Sequence, residues 1–387
     1  MSTNSPQTHR FIIMTVDPVH IGTGGMRLGR VDNAIVREPG TNLPKIPGTA
    51  LHGVIRGYAA RRFGKPQCAG QGGRENKHCG RPTCPICYTF GSIQGDAGSF
   101  SGVVSIYDAR ILLFPVYSMV GPVWATTPNI LKNTGITKKE NINVEPERVI
   151  LSKGINVEKH INLGWLMFEK EHSQSEIDRV LAEIDGALEE KFQIPEEVKE
   201  RLVLVHDSIF PQIVNSNLEV RTSVAINPAT GAAEEGALFT YEALPRATFL
   251  WFDVVVDDFR GSFPSKDKLG EWENVLNDGN KEEQKNLLRK WKIWSDEKSA
   301  EKIENAIEKA KSWINEEKQR WNNLHCPGNN RDVLCVVKSG LEWAEYLGIG
   351  GMGTRGFGRI RKITVCEVKE NSIENCNNGG KNDQTNS

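Results

Sequence analysis

Apolar positions along the chain come in short clusters, and their spacing alternates between the two-residue period of strands and the three-to-four-residue period of helices. Residues 11–16 (FIIMTV) form an apolar run that stops at Asp17-Pro18, which predicts a short buried strand. A polar, glycine-rich loop over 22–30 follows, then a second strand over 34–37 and a turn at Pro39-Gly40. Pro47-Gly48-Thr49 opens a helix whose Leu51, Val54, Ile55 and Tyr58 share one face, with His52 and Arg56 beside that stripe. Residues 103–116 and 123–127 read as strands, and 173–204 as one or two surface helices with Glu and Lys outward. Strand character returns over 202–256, where Pro228 to Gly231 reads as the tip of a hairpin. Residues 261–325 are rich in Lys and Glu; Ile303, Ile307, Ala310, Ile314 and Trp321 mark the buried stripe of a long helix in an inserted helical subdomain with a solvated charged face. A helix over 333–347, the loop GIGGMGTRGFGRI and a strand over 360–367 complete the body, and the Asn-rich tail from Asn371 is expected to be disordered. Strands and helices interleave without regular β-α-β units and without a repeat, which predicts an α+β fold.

Residues 111–131 carry no charge and are the one candidate for a membrane span, but Pro115, Gly121, Pro122 and Pro128 interrupt them. They read instead as buried strands joined by a turn. The first ten residues lack the apolar run of a cleavable signal. With 38% hydrophobic and 25% charged residues, the expectation is a soluble cytoplasmic protein with no membrane partner. The net charge of -1 conceals an asymmetry: residues 1–130 hold 13 Lys+Arg against 6 Asp+Glu, leaving 35 against 43 for the rest. A basic first third points to a localised surface for a polyanion.

Half of the eight cysteines, Cys68, Cys79, Cys84 and Cys87, fall within 20 residues with the spacing C-x10-C-x4-C-x2-C. A CPIC knuckle and two thiols returning across a Gly-rich loop suit a tetrahedral thiolate site for Zn²⁺, with His78 as a possible substitute for Cys68 or Cys79. Four protein ligands leave no open position, so such a site is structural.

Gly351, Gly353 and Gly356 spell G-x-G-x-x-G, yet the loop follows a helix and precedes a strand, the reverse of a dinucleotide fingerprint. Its bare backbone, with Arg355 and Arg359, suits phosphate contact instead. Asp32 follows a flexible loop among Arg27, Arg30 and Arg37. Ion pairing is the plain reading; holding Mg²⁺ or orienting a ribose hydroxyl is the chemical one. His20 reads as a strand-end residue with a satisfied ring. Neither a Ser-His-Asp, Walker A nor H-E-x-x-H pattern occurs.

Taken together, HIGTGGMRLGRVDNAIVRE, LPKIPGTALHGVIR, FGS, YDARILLFPVYSMVGPVWATTP, ALFTYEALP and IGGMGTRGFGRI resemble the RAMP superfamily in kind and order. DARILLFPV followed by VWATTP resembles the backbone-subunit family of type III-B CRISPR effector complexes, the fourth subunit of Cmr complexes. The likeness runs with gaps from about residue 11 to 363. It implies a modified ferredoxin-like, RRM-related core over 1–260 that contains a zinc-binding loop at 68–87 and a β-hairpin thumb at about 206–246. A helical insertion over 261–332, a returning part of the core over 333–366 and a tail over 367–387 complete the implied division.

The resemblance further implies an endoribonuclease in antiviral defence that stacks with other copies of itself along a guide CRISPR RNA, beside other type III subunits, and cuts paired target RNA at regular intervals. The family's cleaving aspartate, in V-D-x-x-I-x-R, carries over to Asp32, cast as a ligand for Mg²⁺ or another divalent ion, or as a positioner, since an ordinary Asp is a poor base at neutral pH. Guide contacts are implied for Lys45, Arg56, Gly351, Gly353, Thr354 and Arg355, and for Arg221 from the thumb, all on phosphate. His52 stands where a lysine is familiar in relatives, and the cysteine cluster is absent from the plainest members. The helical insertion is expected to touch a neighbouring subunit. The alternatives are a non-catalytic guide-RNA-binding scaffold of the same fold, with Asp32 merely paired to Arg30 or Arg37, and a stand-alone zinc-ribbon RNA-binding protein.

Overall fold

Strand formation follows the short apolar clusters. The structure, a computed structural model, describes residues 5–24, 31–70, 78–137, 142–171, 175–295, 301–322, 331–369 and 372–378. Its strands, in chain order, are β1 (Gln7–Thr15), β2 (Gly91–Gly95), β3 (Gly98–Ser101), β4 (Val104–Ile106), β5 (Arg110–Ser118), β6 (Gly121–Thr126), β7 (Arg148–Leu151) and β8 (His160–Leu163). They continue with β9 (Leu166–Lys170), β10 (Leu202–Leu204), β11 (Glu219–Ile226), β12 (Ala233–Ala243), β13 (Phe249–Val256), β14 (Ile360–Lys369) and β15 (Ser372–Asn378). The chain divides into a sheet unit of residues 8–51, 107–253 and 345–387, and a helical unit of residues 1–7, 52–106 and 254–344.

In the sheet unit the strands lie in the order β15-β14-β1-β13-β5-β6-β10-β7-β9-β8. The neighbours β15–β14, β14–β1, β13–β5, β5–β6, β10–β7 and β9–β8 pair antiparallel, whereas β10 with β6 and β7 with β9 pair parallel. The uncharged stretch 111–131 folds as expected into the β5–β6 hairpin, turning at Gly121 (φ 93°), and Pro128 then opens a short helix behind the N-cap Thr127. Leu181, Ile184 and Leu188 of the helix Ser175–Glu190 pack on Ile12, Leu112, Leu202, Leu204 and Phe249 in one core. Among the described residues no helix is long and apolar enough to cross a membrane.

The helical unit carries the insertion foreseen for 261–325, as helices Lys266–Asp278, Lys281–Lys290 and Glu301–Asn322. Ser265 caps the first, and Asn280 with Glu283 forms a capping box on the second. Ala310 and Ile314 of the expected stripe are fully buried, and Trp321 packs edge to face on Phe63 at 5.3 Å. Lys65 and Glu317, each 1% exposed, form an ion pair inside this unit.

Four expectations are corrected. The strand over 34–37 is reduced to isolated bridges, because Ile35 pairs with Gly22 and Arg37 with Pro44. The buried face of the helix Gly48–Arg62 includes Ile55, Arg56, Ala59 and Ala60, while Val54 and Tyr58 are only half-buried. The zinc loop 68–87 falls with the helical insertion rather than with the sheet. The tail, expected to be disordered from Asn371, instead adds β15 along β14, with a Cys366–Cys376 disulfide across the pair; residues 379–387 lie outside the described residues. A helix at Phe210–Ser216, unforeseen among the strands of 202–256, also appears.

The helix Val333–Leu347 meets the helix Gly48–Arg62 at Gly340, where an added Cβ would lie 2.1 Å from the carbonyl oxygen of Ile55. Gly340→Ala is therefore expected to force the two backbones apart, at about 1–3 kcal/mol, and to lower Tm by roughly 3–10 °C in a thermal melt. An unchanged Tm would mean that the close approach is not rigid.

Candidate active site and metal centre

Three segments far apart in sequence meet at the base of the β11–β12 hairpin. Val19 and Leu244 exchange both backbone hydrogen bonds at 2.9 Å, and Asn33 donates to Thr240 at 3.0 Å and accepts from Glu242 at 3.0 Å. This places Asp32 against Thr240. One carboxylate oxygen, Oδ2, accepts from the Thr240 amide and from its hydroxyl, each at 2.8 Å, and the Asp32 amide donates to the same hydroxyl at 2.9 Å. These bonds favour the ionised form, the Thr240 amide most, and hold the Asp32 carboxyl below the usual carboxylate range. Oδ1 accepts no hydrogen bond from the described residues.

Arg37 is not the partner of Asp32. Its Nη2 donates to Glu242 Oε1 at 2.7 Å and its Nε to Asn215 at 2.8 Å, while Glu242 Oε2 accepts the Ile35 amide at 3.2 Å. Arg27 and Arg30 lie outside the described residues. His20, 7% exposed, has its ring satisfied as expected: Nδ1 lies 2.6 Å from the Glu242 carbonyl, which can only accept, so the proton sits on Nδ1. The ring also meets Tyr241 edge to face at 5.8 Å.

The glycine-rich loop hooks onto the same place. The Gly351 amide donates to the His20 carbonyl at 3.0 Å and the Gly358 amide to the Pro18 carbonyl at 2.8 Å. Gly351, Gly353, Thr354 and Arg355 are all exposed. A single 3-10 turn over Gly353–Arg355 shapes the tip, between left-handed Met352 (φ 60°) and Gly356 (φ 81°). Arg359 does not face outward alone, since it pairs with Asp17. Arg221 sits opposite Tyr241 in the hairpin, pairs with Glu219 at 2.6 Å and lies 4.8 Å over the Phe357 ring. Asp32, Arg221 and the loop 351–355 are thus joined through Thr240, Tyr241 and His20. Lys45 stands elsewhere in the unit, paired with Asp108 at 2.6 Å.

Sequence reasoning missed Thr240, Tyr241 and Glu242. The segment FTYEAL was visible, but nothing local tells that its Thr240 would hold an aspartate 208 positions earlier.

In the helical unit the four cysteines converge, with all four Sγ atoms within 4.8 Å of one another. The close pairs, Cys79–Cys87 at 3.7 Å and Cys84–Cys68 at 3.9 Å, are near the roughly 3.8 Å edge of a tetrahedron with 2.3 Å metal–sulfur bonds. Disulfides would need about 2.05 Å. Cys84 caps the short helix Pro85–Phe90, and its sulfur accepts the Cys87 amide at 3.5 Å, as a thiolate knuckle does. The residues present therefore fit a tetrathiolate metal. His78 is no ligand: Nε2 donates to the Ala69 carbonyl at 3.0 Å and Nδ1 accepts the Ile93 amide at 3.2 Å.

Arg56, expected on a phosphate, is a correction. It is 6% exposed, and Nε, Nη1 and Nη2 donate to the carbonyls of Cys68, Phe90 and Gly91 at 2.9, 3.1 and 2.9 Å. The guanidinium ties the cysteine loop together from inside.

A family model described as the RAMP superfamily matches residues 12–361. The CRISPR system Cmr endoribonuclease Cmr4 of Pyrococcus furiosus is 29% identical over 259 residues, 63% of this chain and 80% of that protein. The CRISPR system Cms endoribonuclease Csm3 of Methanothermobacter thermautotrophicus is 35% identical over 86 residues, 22% of this chain and 32% of that protein. Among solved structures, oligomeric Cmr4 from Pyrococcus furiosus aligns at a TM-score of 0.45 and 22% identity, over 69% of this chain and 89% of that one.

The lowered Asp32 pKa carries a signed consequence. Its stabilising bonds are complete above the ordinary value of about 3.9 and are lost as pH falls through the lower folded value. Asp32→Asn lacks this contribution, so the Tm difference between wild type and variant should shrink between about pH 5 and pH 2; a constant difference would show that Asp32 is not anchored in its charged form.

Proposed function

The chain belongs to the RAMP superfamily, and from that premise we propose that it is the backbone subunit of a type III CRISPR effector complex that binds guide RNA and cleaves the paired target RNA. The observation that carries this reading is the ionised Asp32, fixed on Thr240 at the foot of the hairpin, beside an exposed glycine-rich loop. The endoribonuclease names of the Cmr4 and Csm3 relatives support it.

In this reading the core is ferredoxin-like and the β11–β12 hairpin is the thumb. Away from its base, where β12 bonds Asn33, the described strands of the hairpin pair with each other and leave Val224, Ile226 and Leu238 46%, 61% and 62% exposed. Two strands alone are marginal in water, which suits a hairpin completed by RNA or by the next copy in a filament. Lys45, Arg221, Gly351, Gly353, Thr354 and Arg355 serve phosphates and are indifferent to sequence. Other copies of the chain, other type III subunits, guide CRISPR RNA and target RNA are the partners, in the cytoplasm.

Cleavage is attack of a target ribose 2′-OH on the adjacent phosphorus, with departure of the 5′-oxygen. The hairpin's part is to splay one nucleotide so that the three reacting atoms come into line. Asp32 is too acidic to act as a general base at neutral pH. Its Oδ1, which accepts no hydrogen bond from the described residues, is the atom that would hold Mg²⁺ or a similar ion, which when bound would offset charge on the phosphate. Thr240 positions Asp32, and His20 with Gly351 positions the loop.

Asp32→Ala is expected to leave guide and target binding intact and to cut cleavage of an end-labelled complementary RNA by about 100-fold or more. Equal cutting by both proteins, or binding with no cutting by either, would replace the nuclease with a guide-RNA scaffold.

At Cys68, Cys79, Cys84 and Cys87 we infer structural Zn²⁺. Elemental analysis of protein purified without chelator should give one zinc per chain, and Cys84→Ser should lower both zinc content and Tm. Zinc-free wild type of full stability would overturn the assignment.

A further inference from the structure

Within the helical unit a cavity of about 220 Å³ opens between the β2–β3 side and the first two inserted helices. It is smaller than the roughly 300–1,000 Å³ of pockets for drug-sized ligands, so it admits one ring system. Its walls are aromatic: Tyr88, Phe100, Trp272 and Trp291 line it, the two indoles meeting edge to face at 5.1 Å. Its polar side is cationic, from Arg260, Lys290 and Lys292, and no carboxylate is among the lining residues. Asp258, which touches Tyr88, accepts the Tyr88 hydroxyl and the Gly261 amide.

Arg260 is held in place before any ligand arrives. Its guanidinium lies 4.2 Å over Tyr88 and 5.2 Å over Phe100, and Nη2 donates to the Tyr88 carbonyl at 2.9 Å. Its Nε–H is shielded from solvent and has no hydrogen-bond partner among the described residues. A buried donor on a cation that is left unmet costs stability.

Lys292 supplies an independent observation. It follows the helix Lys281–Lys290 with φ 58°, its amide bonded to the Arg289 carbonyl at 2.9 Å and the Ile293 amide to the Leu288 carbonyl at 3.2 Å. This is the helix-terminating position that glycine occupies most readily, and a lysine there is strained. Stability alone favours glycine, so the side chain's place at the cavity is what the strain secures.

We propose that this cavity binds a nucleotide, with the base against the aromatic walls and its phosphate on Arg260, Lys290 and Lys292. A flat π-surface joined to an anion is the chemistry that both halves of the lining select. The inference stands on this lining alone and does not rest on the role of Asp32. The nucleotide comes either free or as one residue of a single-stranded RNA.

The test uses the full chain as purified, titrated with adenosine 5′-monophosphate by calorimetry, and cross-linked in parallel to a single-stranded RNA carrying 4-thiouridine. Lys292→Gly should weaken nucleotide binding about tenfold while its Tm equals or exceeds that of wild type. Arg260→Met should weaken it at least as much. Mononucleotide binding with these losses assigns a free nucleotide; no mononucleotide binding, but a cross-link to a peptide carrying Arg260 or Lys292 that Lys292→Gly abolishes, assigns an RNA residue. Absence of both binding and cross-linking, or affinities and cross-links unchanged in both variants, overturns the proposal.

Discussion

Two hydrogen bonds from Thr240 to one oxygen of Asp32, spanning 208 positions of sequence, are the constraint on which the chemistry of the sheet unit depends. A carboxylate that follows a glycine-rich loop has no fixed direction of its own. Here the hairpin base supplies it, and the same three residues of β12 do the rest of the work. Thr240 holds Asp32, Tyr241 packs on His20 and faces Arg221, and Glu242 takes Arg37 through one oxygen and the Ile35 amide through the other. Because His20 in turn accepts from Gly351, a shift of the hairpin would move the carboxylate and the glycine-rich loop together. A site built this way couples what happens at the hairpin to the geometry around the Asp32 carboxylate.

The occupation of Glu242 by Arg37 also decides the state of Asp32. Had Arg37 paired with Asp32, the carboxylate would be neutralised and directed inward. With Arg37 engaged elsewhere, the hydrogen bonds that Asp32 accepts from the described residues come from an amide and a hydroxyl, and they hold its carboxyl below the usual range. Hydrogen bonds from neutral donors lower a carboxyl pKa without cancelling the charge that a metal or a hydroxyl would feel.

Charge counting along the sequence was less informative than it promised. The basic excess of residues 1–130 suggested an anion-binding surface, yet Arg10 pairs with Asp253, Arg37 with Glu242, Arg62 with Glu342 and Lys65 with Glu317. Acids from later in the chain answer much of the early excess. Arg56 shows why sequence could not reveal this: its helical position was legible, but its burial depends on carbonyls at Phe90 and Gly91, more than thirty residues on. Features set by local periodicity were legible, including the helix Val333–Leu347, the stripe of the helix Glu301–Asn322 and the β11–β12 hairpin. The cysteine cluster was legible for a different reason, since ligand spacing is itself local. What failed was set at a distance: the strand over 34–37 dissolved into single bridges to two partners, and a polar tail became a strand because the edge of β14 offered it unpaired amides and carbonyls.

The glycine-rich loop separates two uses of the same residue. At Gly350 an added Cβ would fall 2.4 Å from the His20 carbonyl oxygen, and at Gly358 2.5 Å from that of Ile349, so these two glycines exist to let backbones touch. Gly351 and Gly353 meet nothing within about van der Waals contact except the His20 and Leu347 edges at 3.6 Å or more, and they are exposed. Packing therefore does not require them to be glycine. Bare backbone there would let a ligand come close, and exposed amides with Thr354 and Arg355 suit the phosphate contact proposed above. The glycines that anchor the loop, Gly350 and Gly358, lie outside the G-x-G-x-x-G spelling of Gly351, Gly353 and Gly356, and that spelling lacks the preceding strand and following helix of a dinucleotide fingerprint.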